Sequence, residues 1–164
     1  MPRTAAGRLP HKRAPARVRA VAVDEILYVA VDDCGQPINP MIVRGQIHGG
    51  VAMGIGNTCM EEFIYDENGQ QLTTTLLDYH IPSSLDLPHI ETIEHNVPSP
   101  HTPLGSKGKG EGTPGMAPAA IANALEDALQ PLGVKITELP LTPERIWKLI
   151  QAAQPQVALS QAKE

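Results

Sequence analysis

The sequence predicts an α+β fold in which mixed sheet pieces pack with helices. Three observations predict it. Short strand-like runs and helix-spaced runs follow one another without the regular alternation of a βαβ array. Glycine and proline number 14 and 16, which implies many turns and short elements. Aromatic residues make up only 3% of the chain, so the core must rest on Leu, Ile, Val, Ala and Met. The 164 residues suffice for one ordinary domain. A chain so rich in loops buries less surface per residue, and is expected to lean on neighbours.

Residues 1–19 hold Arg3, Arg8, Lys12, Arg13, Arg17 and Arg19, with no acidic residue and three prolines. They read as a disordered basic tail. The prolines spoil the amphipathic helix of a transit peptide. One domain is expected over residues 20–153, followed by a flexible tail over 154–164.

A strand is predicted from Val21 to Asp33, with a buried run from Leu27 to Val31, and Asp33-Cys34-Gly35 forms a turn. Asn39 suits a helix N-cap and Pro40 the first helical position, so a helix is predicted to about Glu62, with interruption allowed. Asn68-Gly69 predicts a hairpin between strands at 63–65 and 72–79. Residues 90–97 alternate like a half-buried strand. Residues 98–115 form a long loop without periodicity, and such loops are functional or disordered. Ile121, Leu125 and Leu129 repeat at helical spacing and Gly133 stops that helix. A short strand is predicted over 134–139. Thr142, Pro143 and Glu144 open a last helix whose apolar face is Ile146, Trp147 and Ile150.

Several function classes are disfavoured. A net charge of −5 does not recommend nucleic acid as a partner. No apolar run approaches the roughly 20 residues of a membrane helix, and the N-terminus lacks the apolar stretch of a secretory signal. Cys34 and Cys59 stand alone, which points to a reduced, cytoplasmic setting. They are too few for an iron–sulfur cluster. None of the six histidines has the spacing of a metal site, so no metal ligand is assigned.

Two stretches could carry chemistry. The first spans residues 45–56 and holds five glycines in a predicted helix. Each costs about 1 kcal/mol relative to Ala, so another backbone or a ligand must come close. Spacing alone favours packing over ligand contact. The second is Leu104-Gly105-Ser106-Lys107-Gly108-Lys109-Gly110-Glu111-Gly112-Thr113. Its glycines and lysines resemble a phosphate cradle. It is not a Walker loop, because Glu111 stands where that pattern needs Lys. A loop glutamate is more often solvated than chemical.

In order and spacing these blocks resemble the last third of the large subunit of molybdenum hydroxylases, the family of xanthine dehydrogenase, aldehyde oxidase and aerobic carbon monoxide dehydrogenase. The resemblance runs over about residues 25–150. It is carried by residues 27–35, Ile38-Asn39-Pro40, 45–56, Glu61-Glu62, Tyr65, Asp78-Tyr79, Pro82, 105–112, 118–129 and 141–147. It implies the C-terminal half of a molybdopterin-binding domain and reverses both of the bland readings above.

In the family the Glu of the Gly-x-Gly-Glu segment sits beside molybdenum as general base, which here is Glu111. Gln46 would hydrogen-bond the pterin. Gly49, Gly50, Ser106, Lys107, Gly108, Lys109 and Gly110 would line the same cofactor, usually the cytosine dinucleotide form in bacterial relatives. The implied reaction is oxidative hydroxylation of a small substrate, either an aldehyde, an N-heterocycle or, with modified chemistry, carbon monoxide. Met53 and Lys109 depart from the family pattern. Many relatives have Gln at the first position and a small or apolar residue at the second.

The implied partners are the complementary half of the large subunit, which carries the substrate-channel loops, and separate iron–sulfur and FAD-bearing subunits. The chain is then a split subunit or a truncated product, inactive without that half. The alternative is a non-catalytic cofactor-binding or structural fragment.

Overall fold

The computed structural model describes residues 18–19, 22–23 and 27–161, with side chains described over 27–153. The predicted basic tail therefore lies outside the described residues except for Val18–Arg19. The C-terminal tail is described only as backbone, to Gln161.

The strands are β1 (Val18–Arg19), β2 (Ala22–Val23), β3 (Tyr28–Asp32) and β4 (Ile90–Glu94). The helices are α1 (Pro40–Cys59), α2 (Ala117–Leu129) and α3 (Pro143–Gln161). The short β1 and β2 pair antiparallel, while β3 and β4 pair in parallel, from Tyr28 opposite Ile90 to Asp32 opposite Glu94. A parallel pair needs a long crossover. Here α1 and the irregular residues 60–89 supply it. Helices beside separate small sheets make the fold α+β, as predicted.

The start of α1 follows from its first residues. Asn39 is extended and its side chain accepts the Ile42 N–H at 3.2 Å, and Pro40 opens the helix. The helix passes through all five glycines unbroken and stops at Cys59, short of the predicted Glu62. Val43, Ile47, Val51 and Ile55 recur every four residues and form its buried stripe. They pack with Ala30, Cys34, Ala117 and Ile121 into the main core. Full burial of a side chain such as Ile47 or Val51 contributes about 1.5–3 kcal/mol.

A second core joins Leu129, Val134 and Ala153, with Ile136, Ile146, Leu149 and Ile150 against it. Thr142 caps α3 by accepting the Arg145 N–H on its hydroxyl at 3.3 Å. Trp147, expected on the apolar face, is half exposed. The packed face follows 146, 149, 150 and 153, and position 147 lies about 100° around the helix.

Four predicted strands need correction. At 63–65 and 72–79 the turn forms, with the Asp66 carboxylate accepting the Asn68 and Gln70 N–H groups at 2.8 Å each and Gly69 at φ 79. The ladder shrinks to one bridge between Tyr65 and Gln71. The Ile64 N–H turns to the Thr73 hydroxyl, and residues 75–79 close on themselves. Residues 134–139 form no strand, because the Ile136 N–H is taken by the Glu126 carboxylate at 2.9 Å. The strand at 90–97 ends at Glu94 because the Val97 N–H goes to the Asp33 side chain. No described helix is long and apolar enough to cross a membrane.

Candidate functional site

Strand β3 ends beside two carboxylates, Asp32 and Asp33. Neighbouring residues of an extended chain point to opposite sides, and the two acids capture different lysines of the Gly-rich loop. Asp33 accepts the Lys107 ammonium at 2.6 Å, the Gly35 N–H at 2.8 Å and the Val97 N–H at 3.1 Å. These donors, Lys107 first, hold its carboxyl down at about 2. Around this pair, residues 105–107 fasten to residues 34–36. The Lys107 N–H donates to the Cys34 carbonyl, the Gln36 N–H to the Gly105 carbonyl and the Ser106 hydroxyl to the Gln36 carbonyl. Gly35 lies at φ 63, and any side chain there would strike the Gly105 carbonyl.

Asp32 pairs with Lys109, whose side chain is only 8% exposed. The same ammonium donates to the Thr113 hydroxyl at 3.3 Å. Thr113 is buried against α1, where a Cβ added at Gly50 would stand 2.8 Å from its Cβ. The turn over residues 109–113 is therefore fixed at both ends, one on the sheet and one on α1. Glu111 is its crown. It is exposed, and among the described residues it makes no hydrogen bond or ion pair.

The glycines divide into two sets. Gly50, Gly54 and Gly56 are packing glycines. Their α-carbons abut Thr113 and Pro114, Ala117, and Glu61 with Pro82, respectively. Gly45, Gly49, Gly108 and Gly110 have no described atom within 4 Å of where a Cβ would stand. Helix propensity would favour Ala at 45 and 49, so packing within the chain accounts only for the first set.

Of the residues singled out from sequence, Gly50, Lys109 and Glu111 come together in this arrangement. Gln46, one turn before Gly50 on α1, is exposed, and no described hydrogen bond links it to the loop. Ser106 and Lys107 lie at the neighbouring junction with 34–36, and Gly108 and Gly110 stand open between the anchors. Both lysines of the phosphate-like loop are engaged by carboxylates, so their charge is already matched. Among the described residues no hydrogen bond uses the backbone N–H of Gly108, Gly110 or Glu111. No group of three or more His, Cys, Asp and Glu able to hold a metal ion occurs among the described residues. Asp32 and Thr113 were absent from the residues assigned from sequence. The available signal was the pairing of two adjacent acids with two lysines two residues apart.

A molybdopterin cofactor-binding domain model matches residues 19–88. The chain is 47% identical over 117 residues to the nicotine 6-hydroxylase large subunit of Paenarthrobacter nicotinovorans, a match covering 71% of this chain and 14% of the relative. It also superposes on the quinoline 2-oxidoreductase of Pseudomonas putida 86, with TM-score 0.72 and 54% identity over 75% of this chain and 16% of that one. The chain belongs to the molybdenum hydroxylase large-subunit family. A third likeness, to carbon monoxide dehydrogenase from Oligotropha carboxidovorans, has TM-score 0.77 at 33% identity, covering 84% of this chain and 17% of the other. This large-subunit chain thus spans 14–17% of the length of these relatives.

Proposed function

We propose that this chain supplies the general base, Glu111, and one wall of the molybdopterin site of a molybdenum-dependent oxidoreductase. The reaction is oxidative hydroxylation of a small substrate, an aldehyde or N-heterocycle, or the corresponding attack on carbon monoxide. One observation carries the reading: Glu111 stands exposed and without a partner among the described residues, on a turn whose two ends are anchored. A merely solvated glutamate needs no such mounting.

The residues present suit the cofactor. Gly49, Gly108 and Gly110 leave backbone bare where a Cβ would otherwise project. Gln46 would meet the pterin, and Gly49, Ser106, Lys107, Gly108, Lys109 and Gly110 would line the rest, with Gly50 behind them as the seat of Thr113. Open backbone N–H groups at 108 and 110 suit a pyrophosphate, which favours the cytosine dinucleotide form. When bound, the cofactor supplies the redox chemistry. Glu111 would then accept the proton released as the oxygen nucleophile attacks substrate carbon. The complementary part of the large subunit closes the site. Iron–sulfur and flavin subunits carry the electrons away, in a cytoplasmic complex.

Co-expression with the complementary half and redox subunits, followed by a hydroxylation assay, tests the assignment. Glu111→Gln should lower turnover at least about 100-fold, the low end of general-base contributions. Full activity in that variant would refute it. The span of 14% of a relative's length favours a second reading, a cofactor-binding or structural fragment without turnover. Metal analysis separates the two: the enzyme reading requires molybdenum to appear once the complement is added.

A further inference from the structure

The Asp32–Lys109 pair stands out from the other ion pairs among the described residues. It is the most enclosed, with side chains 17% and 8% exposed, whereas Lys135–Glu126 and Lys148–Glu144 are largely open to solvent. Its ammonium lies in the hollow of the 109–113 turn. It meets the Thr113 hydroxyl, and a Cβ added at Gly112 would stand 3.7 Å from it. Asp32 is itself rigid. It is the last residue of β3, paired in register with Glu94, and its carbonyl accepts the His95 N–H at 2.9 Å. A loop of five residues, two of them glycines able to take almost any backbone conformation, would otherwise have little reason to hold one shape.

We propose that Asp32, acting through Lys109, is the positioning residue for Glu111: the enclosed ion pair locks the 109–113 turn onto the end of β3 and sets where the Glu111 carboxylate stands. This rests on the reading of Glu111 as the base. An enclosed pair is suited to the task because it has one good geometry and loses much when either partner is removed. Lys109 spans the turn from its first residue to its last, so the crown moves with the clamp. The neighbouring Asp33–Lys107 pair, about one-third exposed, ties down residues 105–107 and does not reach the crown.

The test compares full-length chains carrying Asp32→Asn, Lys109→Gln, Lys109→Arg or Thr113→Val with wild type, using amide hydrogen exchange. Exchange of the Met116 amide, which donates to the carbonyl of Thr113 at the end of the turn at 3.2 Å, should quicken at least about tenfold in the first two variants, the scale on which local opening separates from the folded state. Exchange in α1, and in α2 beyond its first turn, should stay as it was. Lys109→Arg, which keeps the charge, should recover most of the protection. Thr113→Val removes one acceptor at nearly constant shape, and should quicken exchange of the same Met116 amide by a smaller factor. It carries the test if the charge-removing variants fail to fold. In the assembled enzyme, Asp32→Asn should lower kcat with little change in KM. Lys135→Gln, which breaks a remote exposed pair, should leave both unchanged.

Unaltered exchange of the Met116 amide in every folded variant, or wild-type kcat in Asp32→Asn, would overturn the positioning role. If Glu111→Gln is inactive while Asp32→Asn is not, the base assignment stands and the clamp falls. If Glu111→Gln is fully active, the base assignment falls, and the exchange comparison alone judges the clamp.

Discussion

At the residue scale, the carboxyl of Asp33 offers a pH handle. Three donors hold it at about 2, with Lys107 first among them. A free aspartate titrates near 3.9. Because the folded value lies below the unfolded one, the contribution is fully present above about pH 4 and is lost as pH falls through about 2. Lowering the pH through that window should free residues 105–107 from residues 34–36, visible as faster exchange of the Lys107 amide. Asp33→Asn should bring the same loosening at neutral pH. If Lys107 were equally protected in Asp33→Asn at pH 7, the carboxylate would not be the anchor. The group is exposed, so the effect should be local rather than a change of global stability.

At the element scale, α1 offers a sign test within one helix. Gly45 has open space where a Cβ would go, whereas at Gly54 the same atom would collide with Ala117 of α2. In the chain alone, Gly45→Ala should raise stability by about 0.5–1 kcal/mol through helix propensity. Gly54→Ala should lower it by about 1–3 kcal/mol through overpacking. Urea unfolding of the two variants checks both, and equal signs would contradict the division of the glycines. The helix itself was legible because its cap, its opening proline and its four-residue apolar repeat are all local. The division of its glycines was not, since it depends on α2 and residues 113–114, some 60 residues further on.

At the scale of the whole molecule, much apolar surface is left uncovered. Parallel strands are normally buried on both faces, yet Leu27, Val29 and Val31 beside β4's Ile93 face outward at 44% exposure or more. Leu77 and Leu85 are each 94% exposed. The chain spans about a sixth of its relatives, and on the function proposed above these faces would meet the complementary half. Expressed alone, it should self-associate, and the complementary half should reduce that association. Light scattering decides the point: a well-behaved monomer at concentrations of tens of micromolar would show that these faces need no cover.

The sequence by itself determined the α+β class, the start of α1, the turn at Asn68-Gly69, the long loop at 98–115 and the likeness to molybdenum hydroxylase large subunits. Each is written in short-range patterns: caps, periodicity, turn residues, or ordered blocks. It missed that residues 134–139 would forgo strand pairing, because the Ile136 N–H finds its acceptor on the side chain of Glu126, ten residues earlier. It singled out Glu111 but not the mounting beneath it. Only the tertiary structure decided that Asp32 would meet Lys109, that Thr113 would seat on Gly50, and that the loop's positive charge would be matched within the chain. Those contacts join residues 63 to 77 apart in sequence, and no local pattern specifies which distant partner a buried charge or a bare α-carbon will meet.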